Sequence, residues 1–202
     1  MNATSSMRKL LMVLALSGLA GCFSSSAPDS KAWTVAPRTD LPRPVQPPEG
    51  ASAFAATRLG PVTVCAPYDH QSFMVHRGDG SVATDAYNVF ASSPASLLRA
   101  PVKNRLEADG RFGHVVASAS SASTDAQVEV TVTDLSLDCR ENGRRKARAA
   151  VSVDVIKSGR GPRDVALVGA GKGEADAEAG DYTAAFSAAF DAALAEALKA
   201  MK

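Results

Sequence analysis

Three histidines, three cysteines and a few clusters of charge are the residues of this 202-residue chain that could do chemistry. Metal binding needs histidine, cysteine or carboxylate ligands at short, fixed spacings. His70, His76 and His114 have no such partners beside them and read as surface or sheet histidines. The serines lack a Gly-x-Ser-x-Gly elbow, so nothing supports hydrolysis. Gly169-Ala170-Gly171-Lys172-Gly173 has the spacing of neither nucleotide fingerprint, and no Ser or Thr follows its lysine. Glu174, Asp176, Glu178 and Asp181 gather before the last helical pattern, where the helix dipole favours them without any chemistry. Five basic residues, Arg140, Arg144, Arg145, Lys146 and Arg148, crowd around an Asn142-Gly143 turn. They are candidates for contact with anionic headgroups or an acidic partner, or else a solvated tip whose charges discourage edge pairing. The expectation is a protein with no catalytic residue, no metal and no cofactor.

The thiols say more. Arg8 and Lys9 precede the apolar run Leu10–Leu16, and Leu19-Ala20-Gly21-Cys22 closes it with small residues before a cysteine. This arrangement resembles a bacterial lipoprotein signal: residues 1–21 are removed and the Cys22 thiol carries the lipid. The run is about half the roughly 20 residues that a spanning helix needs. At roughly 0.8 kcal/mol per buried methylene, the three acyl chains that this resemblance implies hold essentially permanently. Export puts Cys65 and Cys139 where disulfides persist, so a bridge between them is expected. Its loop of about 75 residues would restrict the unfolded chain by roughly 4 kcal/mol.

Without Arg8 and Lys9 the mature chain carries 20 basic and 21 acidic residues, a net charge of −1, and no nucleic-acid partner is indicated. Residues 22–52 read as a lipid anchor followed by a solvated tether, punctuated by Pro28, Pro37, Pro42, Pro44, Pro47 and Pro48. One folded domain then occupies 59–202.

Within it, Pro61–Ala66, Ser72–Arg77 and Ser81–Phe90 are β-prone. A helix runs from Ser93-Pro94 to about Asp109, with Pro101 expected to kink or restart it and Gly110 to end it. Phe112–Ala117 is a strand. Val128, Val130 and Val132 alternate with polar residues, and the phase then slips to Leu135, Leu137 and Cys139, which predicts a β-bulge near Thr133-Asp134. Across the turn, Ala147, Ala149, Val151, Val153 and Val155 continue the alternation. A three-residue loop, Glu141-Asn142-Gly143 with Gly143 at positive φ, sets Leu137 opposite Ala147, Leu135 opposite Ala149, Val132 opposite Val151 and Val130 opposite Val153. A strand from Asp164 to Ala175 precedes a helix capped by Asp181, whose apolar stripe packs on the sheet. The fold class predicted is α+β: a small antiparallel sheet with two main helices on one face, a two-layer sandwich.

The lipobox, the proline-rich segment, Phe73-Met74-Val75-His76-Arg77, Asp79-Gly80, Asp85-Ala86-Tyr87, Phe90-Ala91 and Pro94 with its Leu-rich helix resemble the ABC-type transport auxiliary lipoproteins, over about residues 59–200. The paraquat-inducible lipoprotein belongs to that family. The resemblance implies no enzyme, but an auxiliary of an MCE-type system that moves lipids or other hydrophobic molecules between inner and outer membranes. Its partners would be an MCE-domain protein and the associated permease/ATPase complex. Phe23, in place of an aspartate after Cys22, points to the periplasmic face of the outer membrane. The alternative is a lipoprotein of similar architecture that regulates or docks an inner-membrane cell-wall enzyme, with the tether providing reach.

Overall fold

The computed structural model describes residues 29–41, 54–141, 144–158, 164–177 and 180–201. Its trunk is the bulged strand β6, Ala126–Cys139. Val128, Val130 and Val132 are buried, the register slips between Val132 and Asp134, and Leu135 and Leu137 then take over the core side. The strand β7, Lys146–Lys157, lies antiparallel along it with Leu137 opposite Ala147, Leu135 opposite Ala149, Val132 opposite Val151 and Val130 opposite Val153. This is the register that the alternation requires. Asn142 and Gly143, on which the turn geometry rests, lie outside the described residues.

The other edge of β6 corrects the expected fold. The strands β2 (Ala56–Val64) and β3 (Ser72–Arg77) both run parallel to β6, one after the other: β2 pairs from Thr57 opposite Ala126 to Val64 opposite Val132, and β3 from Met74 opposite Ser136 to Arg77 opposite Cys139. The bulge sits where the first hands over to the second. β4 (Val82–Phe90) pairs antiparallel with β3, β5 (His114–Val116) parallel with β2, and β8 (Val165–Asp176) antiparallel with β7. With the short β1 (Lys31–Trp33) parallel to β4, the result is a mixed eight-stranded sheet, not a small antiparallel one. Alternation tells that a strand is half buried, but parallel partners meet only across long connections and leave no local signature.

Two helices cover the described sheet. α1, Pro94–Asp109, buries Leu98, Val102 and Leu106 and ends at Gly110 with φ +81°. Ser93 does not cap it; its hydroxyl bonds that of Ser96 at 2.8 Å. Of the kink or restart expected at Pro101, the restart does not occur: the helix is continuous through the buried proline. A proline inside a helix costs about 3 kcal/mol, and the burial of Leu98, Val102 and Leu106, about 2 kcal/mol each, offsets it.

α2, Tyr182–Ala200, starts with the Asp181 carboxylate accepting from the Ala184 N–H at 3.1 Å. Its contact with β8 explains the glycines that superficially resemble a phosphate loop. A Cβ on Gly173, Gly171 or Gly169 would lie 2.0, 2.2 or 2.0 Å from the carbonyl oxygens of Ala189, Ala193 and Ala197. Two strand residues advance about 6.6 Å and four helix residues about 6.0 Å, so each second glycine meets each fourth alanine. Only residues without side-chain bulk on both elements allow so close an approach.

The tether expectation also needs correction. Within 22–52, the stretch from Lys31 to Arg38 is docked on the domain as a strap. β1 pairs with β4, Val35 is buried, and the Ala36 N–H donates to the Ser187 hydroxyl at 2.8 Å. Farther along, the Arg38 guanidinium reaches Asp191 at 3.3 Å. Four extended residues span about 13 Å and eight helical residues about 12 Å, so the strap from Thr34 to Arg38 keeps pace with α2 from Thr183 to Asp191. Phe54, upstream of the expected start near Leu59, is also buried and stacks on Phe112.

Candidate functional site

Four features converge at one end of the sheet: the β3–β4 turn, the β6–β7 turn, the first turn of α2 and the start of the strap. The topology brings them there. β3 ends beside Cys139 at the end of β6, and α2 starts beside the β6–β7 turn, where the Ala177 N–H donates to the Arg145 carbonyl at 2.7 Å.

The five basic residues are not a free positive patch. The Arg140 side chain donates to both oxygens of Asp138, through Nε to Oδ1 at 2.9 Å. Arg148 reaches Asp138 at 3.3 Å and Glu174 at 3.1 Å, and Lys146 lies 3.7 Å from Glu141. Arg140, Arg144 and Lys146 line a cleft of about 380 Å³ together with Asp138, Glu141 and Glu174. The hydrogen bond from Arg140 holds the Asp138 carboxyl well below the usual carboxylate range, although burial opposes it. Arg145 does something else: its Nη1 donates to the Tyr182 hydroxyl at 2.7 Å, tying the turn to the first residue of α2. That leaves Arg144, exposed, as the charge of the five with no side-chain partner among the described residues.

Tyr182 connects this turn to the strap. The Trp33 ring meets it edge-on at 5.1 Å, and Phe73 meets it at 5.5 Å, with Phe90 and Phe186 completing the buried cluster. Trp33 Nε1 donates to Asn88 Oδ1 at 3.0 Å. Asn88 belongs to a bulge in β4, where Ser72 pairs with Val89 but Met74 already pairs with Thr84. Asp85 holds the bulge: its carboxylate accepts from the Tyr87 N–H at 2.8 Å, the Asn88 N–H at 3.1 Å and Asn88 Nδ2 at 2.8 Å. The Asp85-Ala86-Tyr87 sequence thus builds a projection that carries an exposed tyrosine on one side and receives the strap on the other.

The expected Cys65–Cys139 bridge is not made; both thiols are free. The Cys65 N–H donates to the Val132 carbonyl at 2.8 Å, seven positions along β6 from Cys139. At about 3.3 Å per residue the cysteines are roughly 20 Å apart, against a limit of about 7 Å between bridged Cα atoms. The reading fails because β2 runs parallel beside the first half of β6 and ends at the bulge. Burial pushes the Cys139 thiol up. Cys22 and the signal 1–21 lie outside the described residues. Among the described residues no three His, Cys, Asp or Glu side chains converge on a metal-sized site, and no helix is long and apolar enough to cross a bilayer.

Sequence reasoning missed the strap and the β4 bulge. One signal was available: the chain's single tryptophan lies in the presumed spacer, two residues before Val35.

The profile of the family described as "ABC-type transport auxiliary lipoprotein component" matches residues 40–201. No curated protein matches the chain. Among solved structures, the crystal structure of protein XCC0632 from Xanthomonas campestris, assigned to DUF330, is similar with a TM-score of 0.54 and 17% identity, covering 82% of this chain and 86% of that one. That likeness concerns the fold alone. An uncharacterized protein reaches a TM-score of 0.47 at 14% identity, over 77% of this chain and 88% of its own, and carries no argument.

Proposed function

The chain belongs to the ABC-type transport auxiliary lipoprotein family, and from that premise we propose that it is a non-catalytic lipoprotein, anchored through Cys22 to the periplasmic face of the outer membrane. There it serves an MCE-type system that moves lipids or other hydrophobic molecules between the two membranes, by docking the MCE-domain protein and, through it, the permease/ATPase complex. The observation that carries this reading is the docked strap. Cys22 and Asp29 are seven residues apart, and a chain of that length reaches about 25 Å at most, so the domain works at the surface of the membrane that holds its anchor. A free segment of 30 residues could span about 100 Å and would suit an enzyme regulator acting across the periplasm; the strap removes most of that reach. Surface clefts lined by charged and polar residues, such as the one between Asp138 and Lys146, favour a docking role over enclosure of an acyl chain.

The test is affinity capture of the lipidated protein from detergent-solubilised envelopes. An MCE-domain protein with its permease and ATPase is the expected partner set; recovery of a cell-wall synthase in their place would overturn the proposal. Radioactive palmitate labels the wild-type chain and not Cys22→Ser, and density fractionation places the label with outer membranes. For the basic turn, charge reversal at Arg144, Arg145 and Lys146 weakens capture in a salt-dependent manner. Because Arg145 also holds Tyr182, Arg144→Glu alone separates loss of contact from loss of structure.

A further inference from the structure

We propose that the β4 bulge bearing Tyr87, together with the start of the strap beside it, faces and touches the headgroups of the leaflet that holds Cys22; this rests on the reading of Cys22 as the lipid anchor. β1 is parallel to β4, with Lys31 opposite Asn88, so the chain arriving from Cys22 comes from the side of Tyr87 and the β3–β4 turn. Nine residues separate Cys22 from Lys31, a reach of about 32 Å at most. From Val89 back to Val82, β4 runs alongside the four residues from Ser72 to His76 because the bulge takes up the extra length, and so extends about 13 Å in the same direction. The bilayer therefore lies no farther than about one strand length beyond the bulge.

The surface chemistry agrees. Large apolar side chains exposed on the described surface are Val82 (48%), Tyr87 (49%), Val165 (56%) and Val168 (51%). The first two stand on β4, where the strap enters. Tyrosine is enriched at the headgroup level, where its ring is half apolar and its hydroxyl stays wet. Lys31 and Arg77 are exposed around it, and basic residues gain about 1 kcal/mol each near an anionic surface. Two of the carboxylates nearby are bound to their own turns. Asp85 accepts from Tyr87 and Asn88, and Asp79 accepts from the Ser81 N–H at 2.9 Å. Asp29 is exposed beside the strap and opposes part of the attraction.

Val165 and Val168 belong to the opposite end. Val165 pairs with Ile156, and Ile156 with Gln127, whereas the β3–β4 turn adjoins Cys139. Twelve residues of strand separate the two levels, roughly 40 Å, so a domain that rests on the Tyr87 end turns the Val165–Val168 end into the periplasm.

The experiment uses the full lipidated chain in vesicles of phosphatidylethanolamine and phosphatidylglycerol, with bromine on the acyl chains just below the headgroups. Tyr87→Trp adds an indole at an exposed position, and Val168→Trp does so at the other end; each is read against wild type, which retains Trp33. Added emission from Tyr87→Trp is expected to be quenched and blue-shifted, and that from Val168→Trp to be unaffected. Chain that sediments with the vesicles but shows no quenching of Tyr87→Trp, or equal quenching of both, overturns the orientation while leaving the anchor intact. Chain that fails to sediment overturns the anchor, and the orientation with it.

Discussion

Replacing Trp33 by alanine should release the strap while leaving the domain folded. The ring makes one hydrogen bond to Asn88, worth about 1 kcal/mol net, and one edge-on contact with Tyr182, worth about 1 kcal/mol beyond area. It is half buried, and the apolar area withdrawn from water adds about 1 kcal/mol or more. Together Trp33→Ala should favour the undocked strap by roughly 2–3 kcal/mol, and at 1.4 kcal/mol per tenfold its population rises about 30- to 150-fold. Limited trypsinolysis measures this directly, because Lys31 and Arg38 lie on the strap and β1 pairing must open before they enter a protease. Where reclosing outpaces cleavage, the rate follows the open population. Cleavage at both sites should accelerate by that factor in Trp33→Ala, while the 54–201 fragment stays resistant. Wild-type and variant straps cut at equal rates would refute the docking, and with it the short reach on which the proposed function depends.

Four further outcomes follow from the same geometry. Gly171→Ala puts a Cβ 2.2 Å from the Ala193 carbonyl, and since helix backbone cannot yield as a side chain does, a loss of about 2–3 kcal/mol is expected in urea unfolding; an unchanged midpoint would contradict the close approach of α2 to β8. The Asp138 carboxyl has a depressed pKa in the folded state, so its contribution is present above the unfolded value near 4 and lost as pH falls through the folded one. Asp138→Asn should therefore cost about 1 kcal/mol at pH 7, after allowance for solvent screening of the half-exposed Arg140, with the difference from wild type shrinking below about pH 4. Native lipidated protein under non-reducing conditions should show two alkylatable thiols, Cys65 and Cys139, with Cys139 slow at neutral pH because burial favours its protonated form; a single mass lacking two hydrogens and resisting alkylation would restore the bridge. Arg145→Lys should lower the melting temperature by only a few degrees, and loss of capture of the proposed MCE-domain partner in this variant with the fold intact would assign Arg145 a contact role beyond its bond to Tyr182.

Local periodicity alone determined the strands near 72–77, 128–139 and 147–155, the bulge at Thr133-Asp134, the hairpin register and the two helices with their Asp181 and Gly110 ends. These features arise from neighbours within a few residues or across one short turn, and the order of residue types encodes them. The proposed lipobox at Leu19–Cys22 is equally local, being a pattern read on an unfolded chain. Only the tertiary structure decided that β2 and β3 share one edge of β6 in parallel, because such pairs close over connections whose length carries no pairing information. The same fact separates Cys65 from Cys139 and turns an expected disulfide into two free thiols. The basic turn was visible as charge, but its neutralisation by Asp138, Glu141 and Glu174 needed Glu174 to arrive from the neighbouring strand. Gly169, Gly171 and Gly173 were legible as glycines, while their reason, the carbonyls of a helix packed against their strand, lies more than fifteen residues away. The strap joins both kinds of evidence: its composition is that of a solvated linker, and what holds it are a ring, a hydroxyl and a carboxylate presented by Tyr182, Ser187 and Asp191, which no reading of residues 31–38 by themselves could supply.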